Sequence, residues 1–175
     1  MEEKHVVGQI MITQEEILAR AAEIGKKISE DYAGETVVVI GILKGAVLWL
    51  SDVIKNITID TEIDFMAVSS YGASTKSSGV VKIVKDLDRP IEGAHVIVVE
   101  DIIDSGITLN YLKGYLQARG PKTLSFCTLL DKPTGRRTEF KAEYVGFEVE
   151  DKFIVGYGLD YDQRYRNLPY ISFLD

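Results

Sequence analysis

Three runs of apolar residues, rich in β-branched side chains, constrain the fold of this chain more than any other feature. They are TVVVIGI at 36–42, HVIVVED at 95–101 and TLSFCTLLD at 123–131. Continuous apolar runs of this length are typical of strands that are buried on both faces of a sheet. Helical patterns lie between them at 46–54 and 109–120, so the sequence predicts an α/β fold with parallel strands and right-handed crossovers.

The remaining elements follow from shorter patterns. Thr13 and Glu16 form a capping-box pattern ahead of an amphipathic helix at about 14–30. Further strands are predicted for TIDTEIDFMAVSSYG, VVKIV, YVGFEV and FIVGYG, whereas LDYDQRYRNLPYI shows no pattern that assigns a structure. The small polar stretch ASTKSSG at 73–79 has almost nothing to bury, which predicts a mobile loop.

Composition limits the class of protein. With 175 residues, of which 46% are hydrophobic and 27% charged, the chain fits a single domain, 1–175. Its net charge of −7 argues against nucleic acid as a partner, so a phosphate ligand would be held locally by amides, a few cations or a divalent metal. The start of the chain lacks a secretory pattern, and no run approaches the roughly 18 apolar residues that span a bilayer, which predicts a cytoplasmic protein without a membrane partner.

Cysteine and histidine contribute little predicted chemistry. Cys127 is the single cysteine and lies in an apolar run, where it is expected to fill the core. His5 and His95 are far apart and have no companion cysteine, so a structural zinc site is not expected.

Three polar loops follow the predicted core strands, at 43–45, 100–108 and 131–136. Ligands bind beyond the carboxyl ends of the strands in open α/β sheets, so these loops are candidates for one shared site. The sequences of the loops are LKG, EDIIDSGIT and DKPTGR.

The loop EDIIDSGIT suits a phosphorylated sugar. Gly106 allows close approach of the backbone, while Ser105 and Thr108 offer hydroxyls beside the free amides of a helix start. The carboxylates of Glu100 and Asp101 can accept hydrogen bonds from vicinal hydroxyls, which predicts a ribose 5-phosphate site. The alternative is an ordinary strand-to-helix loop in which Asp104 and Ser105 cap the helix.

The segment VIVVEDIIDSGITL resembles the phosphoribosyl pyrophosphate (PRPP) signature of the phosphoribosyltransferases. LKG at 43–45, SSYG at 69–72, DKPTGR at 131–136 and DKFIVGYGLDYDQRYR at 151–166 resemble the hypoxanthine-guanine branch in order and spacing. The likeness covers about residues 36–170. It implies a type I phosphoribosyltransferase fold, in which helices flank a mostly parallel central sheet and the chain ends build a small hood.

The resemblance also implies site residues. Asp104 would be the catalytic acid/base beside purine N7, and magnesium would be held at Glu100, Asp101 and Asp160. The implied substrate contacts are Leu43, Lys44, Gly45, Ser70, Tyr71, Glu100, Asp101, Ile103, Asp104, Ser105, Gly106, Thr108, Lys132, Phe153, Ile154 and Arg166.

Several of these residues have distinct implied roles. The Leu43–Lys44 peptide is expected to be cis and to hold pyrophosphate together with Arg166, and Ser70–Tyr71 would begin a loop that closes over the site. Lys132 would donate to the purine 6-oxo group, Phe153 would stack on the base, and the Ile154 backbone would meet its Watson–Crick edge. Taken singly, the charged residues could be exposed side chains and the phenylalanine a core residue. Ala46 and Ile107 depart from relatives that carry glycine and lysine there, and Ile107 is assigned no ligand contact.

The implied reaction transfers the 5-phosphoribosyl group from PRPP to N9 of hypoxanthine or guanine, in purine salvage. It yields a purine nucleoside monophosphate and pyrophosphate from a 6-oxopurine base, with Mg²⁺ as cofactor and a homodimer or homotetramer as the assembly. A xanthine-preferring transferase and a PRPP-sensing regulator that binds nucleic acid are the alternatives. The Rossmann and Walker motifs are both absent from the sequence.

Overall fold

A computed structural model describes residues 7–70 and 81–175. Tyr71, the side chain of Ser70, His5 and the predicted loop at 73–79 lie outside the described residues. The elements in chain order are α1 (Gln14–Asp31), β1 (Val37–Leu43), α2 (Val47–Ile54), β2 (Thr61–Ser70), β3 (Val81–Lys85), β4 (His95–Ile103), α3 (Ile107–Gln117), β5 (Thr123–Asp131), a 3-10 helix (Pro133–Gly135), β6 (Tyr144–Glu148), β7 (Ile154–Val155) and β8 (Ser172–Phe173).

Six strands form the central sheet in the order β3-β2-β1-β4-β5-β6. Strands β2, β1, β4, β5 and β6 are parallel to one another, and β3 pairs antiparallel with β2. This arrangement confirms the predicted mostly parallel sheet. The strand order reverses at β1, because β2 lies on one side of it and β4 and β5 on the other, and the carboxyl ends of β1 and β4 therefore flank a topological switch point.

Helices cover both faces of the sheet. Helix α1 begins with the predicted capping box, in which Thr13 Oγ1 accepts from the Glu16 amide at 3.2 Å and Glu16 Oε2 accepts from the Thr13 amide at 2.7 Å. Its apolar stripe and Trp49 of α2 pack in one buried cluster, whereas Leu112 and Leu116 of α3 belong to a second cluster on the other side. In the described ranges, no helix is both long and apolar enough to cross a membrane.

The two chain ends pair with each other. Val7 bridges Leu174 and Ile12 bridges Ile171, both antiparallel, and β7 pairs with β8 beside them. The Ser172 hydroxyl donates to the Gly8 carbonyl at 3.0 Å. These contacts confirm the predicted hood built from the chain ends.

Three sequence expectations need correction. Strand β4 continues to Ile103 rather than ending at 101, and α3 begins at Ile107 rather than at 109. The predicted strand FIVGYG is formed only at Ile154–Val155, because Gly156 and Gly158 have φ of +99° and +98°, far from the φ values of regular strands. The side chain of Cys127 fills the core as predicted, and burial raises the pKa of its thiol to about 12.

Candidate functional site

The three polar loops lie at the carboxyl ends of β1, β4 and β5, as predicted, and the segment 156–166 of the hood joins them. The Leu43–Lys44 peptide is cis, which confirms that expectation. Gly45 packs against the carboxylate of Asp101, and Gly158 packs against the Gly45 carbonyl; a Cβ at either glycine would collide with these neighbours. The absence of side chains therefore lets three segments meet closely.

Glu100 and Asp101 form a half-buried acid pair at the end of β4. Glu100 Oε1 accepts from the Asp101 amide at 2.9 Å, and Asp101 Oδ1 accepts from the Ile102 amide at 2.7 Å. Burial, followed by the neighbouring Asp101 charge, raises the pKa of Glu100 well above its usual range. Burial also raises the pKa of Asp101, although the charge of Arg166 opposes this shift. The pair is therefore suited to a cation or to hydroxyl donors.

Replacing Glu100 by glutamine is expected to stabilise the free protein. A folded-state pKa above the ordinary value of about 4.3 means that stability is lost as the pH rises through the folded pKa. The melting temperature of Glu100→Gln should therefore exceed that of the unchanged chain, and the difference should grow from pH 5 to pH 8. Each kcal/mol gained in the free energy of unfolding raises the melting temperature by about 2–4 °C. Glu148→Gln, at an exposed site, is the control. A margin that does not depend on pH would contradict the raised pKa.

The start of α3 has backbone geometry that would suit the predicted anion seat. Gly106 is the N-cap with φ of +78° and no capping side chain, and Ser105 Oγ accepts from the Ile107 amide at 3.3 Å. A cavity of about 170 Å³ is lined by Glu100, Thr108 and other residues of the 102–109 segment. Asp104 is not the N-cap residue, so that part of the alternative interpretation is wrong.

The ammonium of Lys132 lies between two carboxylates. Its Nζ is 2.9 Å from Asp151 Oδ1 and 3.6 Å from Asp104 Oδ2, and the Lys132 side chain is 13% exposed. The alternative of a lysine that points into water is therefore wrong. Burial lowers the pKa of Lys132, but the carboxylates of Asp151 and Asp104 outweigh burial, so the pKa lies above its usual value and the side chain is cationic.

Phe153 and Ile154 occupy the hood edge. Phe153 is 54% exposed and meets the Tyr161 ring edge-to-face at 5.5 Å, so the alternative of a core phenylalanine is wrong. The Phe153 carbonyl accepts from the Leu174 amide at 2.9 Å. Bonded and non-bonded pairs alternate in an antiparallel ladder, so the next pair, Ile154–Phe173, is non-bonded and the Ile154 backbone groups point away from β8.

Two cations converge on Gln163. Its Oε1 accepts from Lys44 Nζ and from Arg166 Nη2, both at 3.2 Å. Arg166 Nη2 also lies 3.3 Å from Asp160 Oδ1, and Asp160 Oδ2 accepts from the backbone N–H of Gln163 at 2.8 Å. Within residues 7–70 and 81–175, no three acidic, histidine or cysteine side chains form a metal-holding group, so Glu100, Asp101 and Asp160 do not form one cluster.

Four residues at this site were not assigned a role from sequence: Gly135, Arg136, Asp151 and Gln163. The motif DKPTGR contains the first two, but nothing in it shows that Gly135 packs against the Asp104 carboxylate. Asp151 and Gln163 lie in the last landmark, DKFIVGYGLDYDQRYR, where only their pairing with distant lysines identifies them.

Comparison with known proteins identifies the family of this chain. A phosphoribosyl transferase domain model matches residues 9–162. The chain is 52% identical over 171 residues to the hypoxanthine-guanine phosphoribosyltransferase of Bacillus subtilis, covering 98% of this chain and 95% of that protein.

Solved structures agree as well. The crystal structure of a hypoxanthine phosphoribosyltransferase from Staphylococcus aureus has a TM-score of 0.94 and 45% identity, covering 97% of this chain and 92% of that one. A hypoxanthine-guanine phosphoribosyltransferase from Bacillus anthracis, with HEPES in its active site, has a TM-score of 0.93 and 47% identity over 97% and 100% of the two chains. The chain has the type I phosphoribosyltransferase fold and belongs to the hypoxanthine-guanine phosphoribosyltransferases.

Proposed function

We propose that this chain transfers the 5-phosphoribosyl group of PRPP to N9 of hypoxanthine and guanine, releasing pyrophosphate. One observation carries the proposal. The acid pair Glu100–Asp101, the backbone amides at the start of α3 and the cationic Lys132 lie close together at one edge of the sheet. These groups match a ribose, its 5-phosphate and a 6-oxopurine respectively. The names of the relatives support the same reaction.

The acid pair and the loop of residues 103–108, called the phosphate loop from here on, would bind the sugar phosphate. Glu100 and Asp101 accept from the ribose hydroxyls, and the backbone of residues 104–108 surrounds the 5-phosphate. Ser105 and Thr108 add hydroxyl donors beside the positive end of α3. The cavity that these residues line supports this assignment.

The purine would lie between the hood and the end of β5. Lys132 donates to the 6-oxo group, Phe153 stacks on the base, and the Ile154 backbone meets the Watson–Crick edge. Asp104 exchanges a proton at N7 as N9 becomes the nucleophile. The exposed Phe153 ring and the Ile154 backbone groups, which point away from β8, support this pose.

The pyrophosphate would be held by the 43–45 loop together with Arg166. Lys44 and Arg166 already converge on one oxygen, that of Gln163, so both cations can reach one anion. Closure of the loop that begins at Ser70 and Tyr71 would exclude water, which competes with the purine for the ribose.

Oxygen donors around the acid pair fit magnesium. Mg²⁺ prefers carboxylates and substrate phosphates to a full protein cage, and Glu100 and Asp101 place two neighbouring carboxyl groups at this site. Because Glu100, Asp101 and Asp160 do not form one cluster, they would hold the ion together with substrate oxygens, in part through water. When bound, it neutralises charge on the departing pyrophosphate.

Gly135→Ala tests the placement of Asp104. A Cβ at Gly135 would collide with the Asp104 carboxylate, so the carboxylate or the loop must move. Turnover is expected to fall by about 10- to 100-fold, the effect of displacing a reacting group by roughly 1 Å. Gly114→Ala, at an open position of α3, should instead add about 0.5–1 kcal/mol of stability and leave turnover unchanged. Equal kinetics in both variants would contradict the placement.

The reaction itself is tested by incubating the protein with Mg²⁺, PRPP and one base at a time. Inosine and guanosine monophosphates are expected from hypoxanthine and guanine, with no product from adenine or uracil. A strong preference for xanthine would show that xanthine, rather than hypoxanthine or guanine, is the base that the protein uses. Absence of any nucleotide, together with salt-dependent RNA binding, would favour the regulatory alternative.

The family resemblance further supports a homodimer or homotetramer in the cytoplasm. Light scattering of the purified protein would measure the mass of the assembly. A monomer that is fully active would contradict this part of the proposal.

A further inference from the structure

The loop 132–137 binds three successive carbonyls of the phosphate loop. The Lys132 amide donates to the Ile103 carbonyl at 2.9 Å, and the Arg137 amide donates to the Ser105 carbonyl at 2.8 Å. Between them, Arg136 Nε donates to the Asp104 carbonyl at 3.2 Å. The outer two bonds come from the backbone, whereas the central one depends on a single side chain.

These bonds fix the direction of the amides as well. In a planar trans peptide the carbonyl and the following N–H point in opposite directions. The carbonyls of residues 103, 104 and 105 face the 132–137 loop, so the amides of Asp104, Ser105 and Gly106 face away from it. Those amides belong to the backbone assigned above to the 5-phosphate.

Arg136 is held in place by its other contacts. Its guanidinium forms an ion pair with Asp131 at the end of β5 and donates to the Phe140 carbonyl. The Arg136 and Asp131 side chains are only 16% and 22% exposed. The Arg136 guanidinium therefore connects three segments: the end of β5, the phosphate loop and the residues that follow the 132–137 loop.

The packing around Gly106 leaves little room for adjustment. Gly106 has φ of +78°, and a Cβ there would press on Thr138 Oγ1 and Arg136 Cδ. The two loops are in direct contact at the first residue before α3. A shift of Arg136 would therefore be transmitted to the amides at the start of that helix.

We propose that Arg136 is a positioning residue for PRPP: by holding the Asp104 carbonyl, it orients the amides of residues 104–106 toward the 5-phosphate. The inference rests on the proposed function for its ligand. Arginine is required because its planar fork serves a carboxylate and two carbonyls at fixed angles, which a single ammonium cannot do.

The kinetic test compares Arg136→Lys and Arg136→Met with Arg137→Met. Arg137 is an exposed neighbour of the same charge, and its contact with Ser105 comes from the backbone amide. Both Arg136 variants are expected to raise KM for PRPP by about 10-fold or more, because each loses the hydrogen bond from the charged Arg136 to the Asp104 carbonyl. KM for hypoxanthine should change less than threefold, and Arg137→Met should match the unchanged chain. A uniform loss of kcat with KM for PRPP unaltered would overturn the proposal.

Hydrogen exchange separates this proposal from the proposed function. The backbone amides of residues 132 and 137, which donate to the carbonyls of Ile103 and Ser105, should exchange faster in Arg136→Lys than in Arg137→Met, by about 10-fold, while those of α1 remain unchanged. Asp131→Asn should produce the same change to a smaller degree. Unchanged exchange in both variants would overturn the proposal even if PRPP is the substrate. If the protein forms no nucleotide from PRPP, the proposed function fails, and faster local exchange would still show that Arg136 orders the loop.

Discussion

Replacing Asp104 by asparagine is expected to lower kcat by about 10²- to 10⁴-fold, the usual contribution of a positioned acid/base. Asparagine has nearly the same shape, so it can occupy the same space against Gly135 and keep an oxygen facing the Lys132 ammonium. It cannot take up the purine proton. Binding of magnesium-loaded PRPP, measured by calorimetry, should therefore persist while single-turnover transfer becomes slow.

Asp151→Asn is the matched control for this prediction. Asp151 Oδ1 lies 2.9 Å from the Lys132 ammonium and Asp104 Oδ2 lies 3.6 Å from it, so either change removes one negative charge from the same lysine. Asp151→Asn should reduce kcat by less than about 10-fold, as expected for a partly exposed ion pair. Equal losses of kcat in the two variants would show that the loss comes from the changed surroundings of Lys132 and not from proton transfer by Asp104. Normal turnover of Asp104→Asn would show that the acid/base assignment is wrong.

The sheet could be predicted from sequence because its strands are buried on both faces. The run at 123–131 ends where Asp131 and Lys132 interrupt the apolar pattern and Pro133 begins a turn, and β5 has these bounds. Helix α3 begins two residues before its predicted start, because Ile107 and Thr108 carry no capping signal and Gly106 caps the helix by its backbone conformation alone.

The hood could be predicted only through the resemblance. Asp162, Gln163 and Tyr165 have φ of +49°, +64° and +75°, which bulky residues rarely adopt and which no propensity indicates. Such a segment is held by contacts with distant parts of the chain. For that reason its pattern alone gave no assignment.

Side-chain pairings at the site could not be predicted for the same reason. Lys44 and Gln163 are 119 positions apart, and their contact exists only because the hood folds over β1. Sequence order indicated which loops share an edge of the sheet. It did not indicate that the 132–137 loop holds the phosphate loop or that two carboxylates flank Lys132.

Lys132→Met is expected to lower the discrimination between hypoxanthine and adenine by about 10- to 100-fold or more. An ammonium donates and never accepts, so in the unchanged protein the 6-amino group of adenine would face an N–H of Lys132 that it cannot accept. Sites of this kind reject the wrong analogue by about 10⁴-fold. Methionine removes the donor at similar length, so kcat/KM for hypoxanthine should fall by about 10- to 100-fold while that for adenine does not fall.

Lys152→Met controls for charge near the base. Lys152 is adjacent to Phe153, but its ammonium lies 4.5 Å from the Phe173 ring centre and 3.7 Å from Glu150 Oε2. This variant should keep the preference for hypoxanthine within about threefold, as expected for an exposed pair. Because the carboxylates of Asp104 and Asp151 raise the pKa of Lys132, the preference in the unchanged protein should also stay constant from pH 6 to pH 9. If Lys132→Met retains the full preference, the 6-oxo group is recognised elsewhere, and the backbone at Ile154 would be the next candidate.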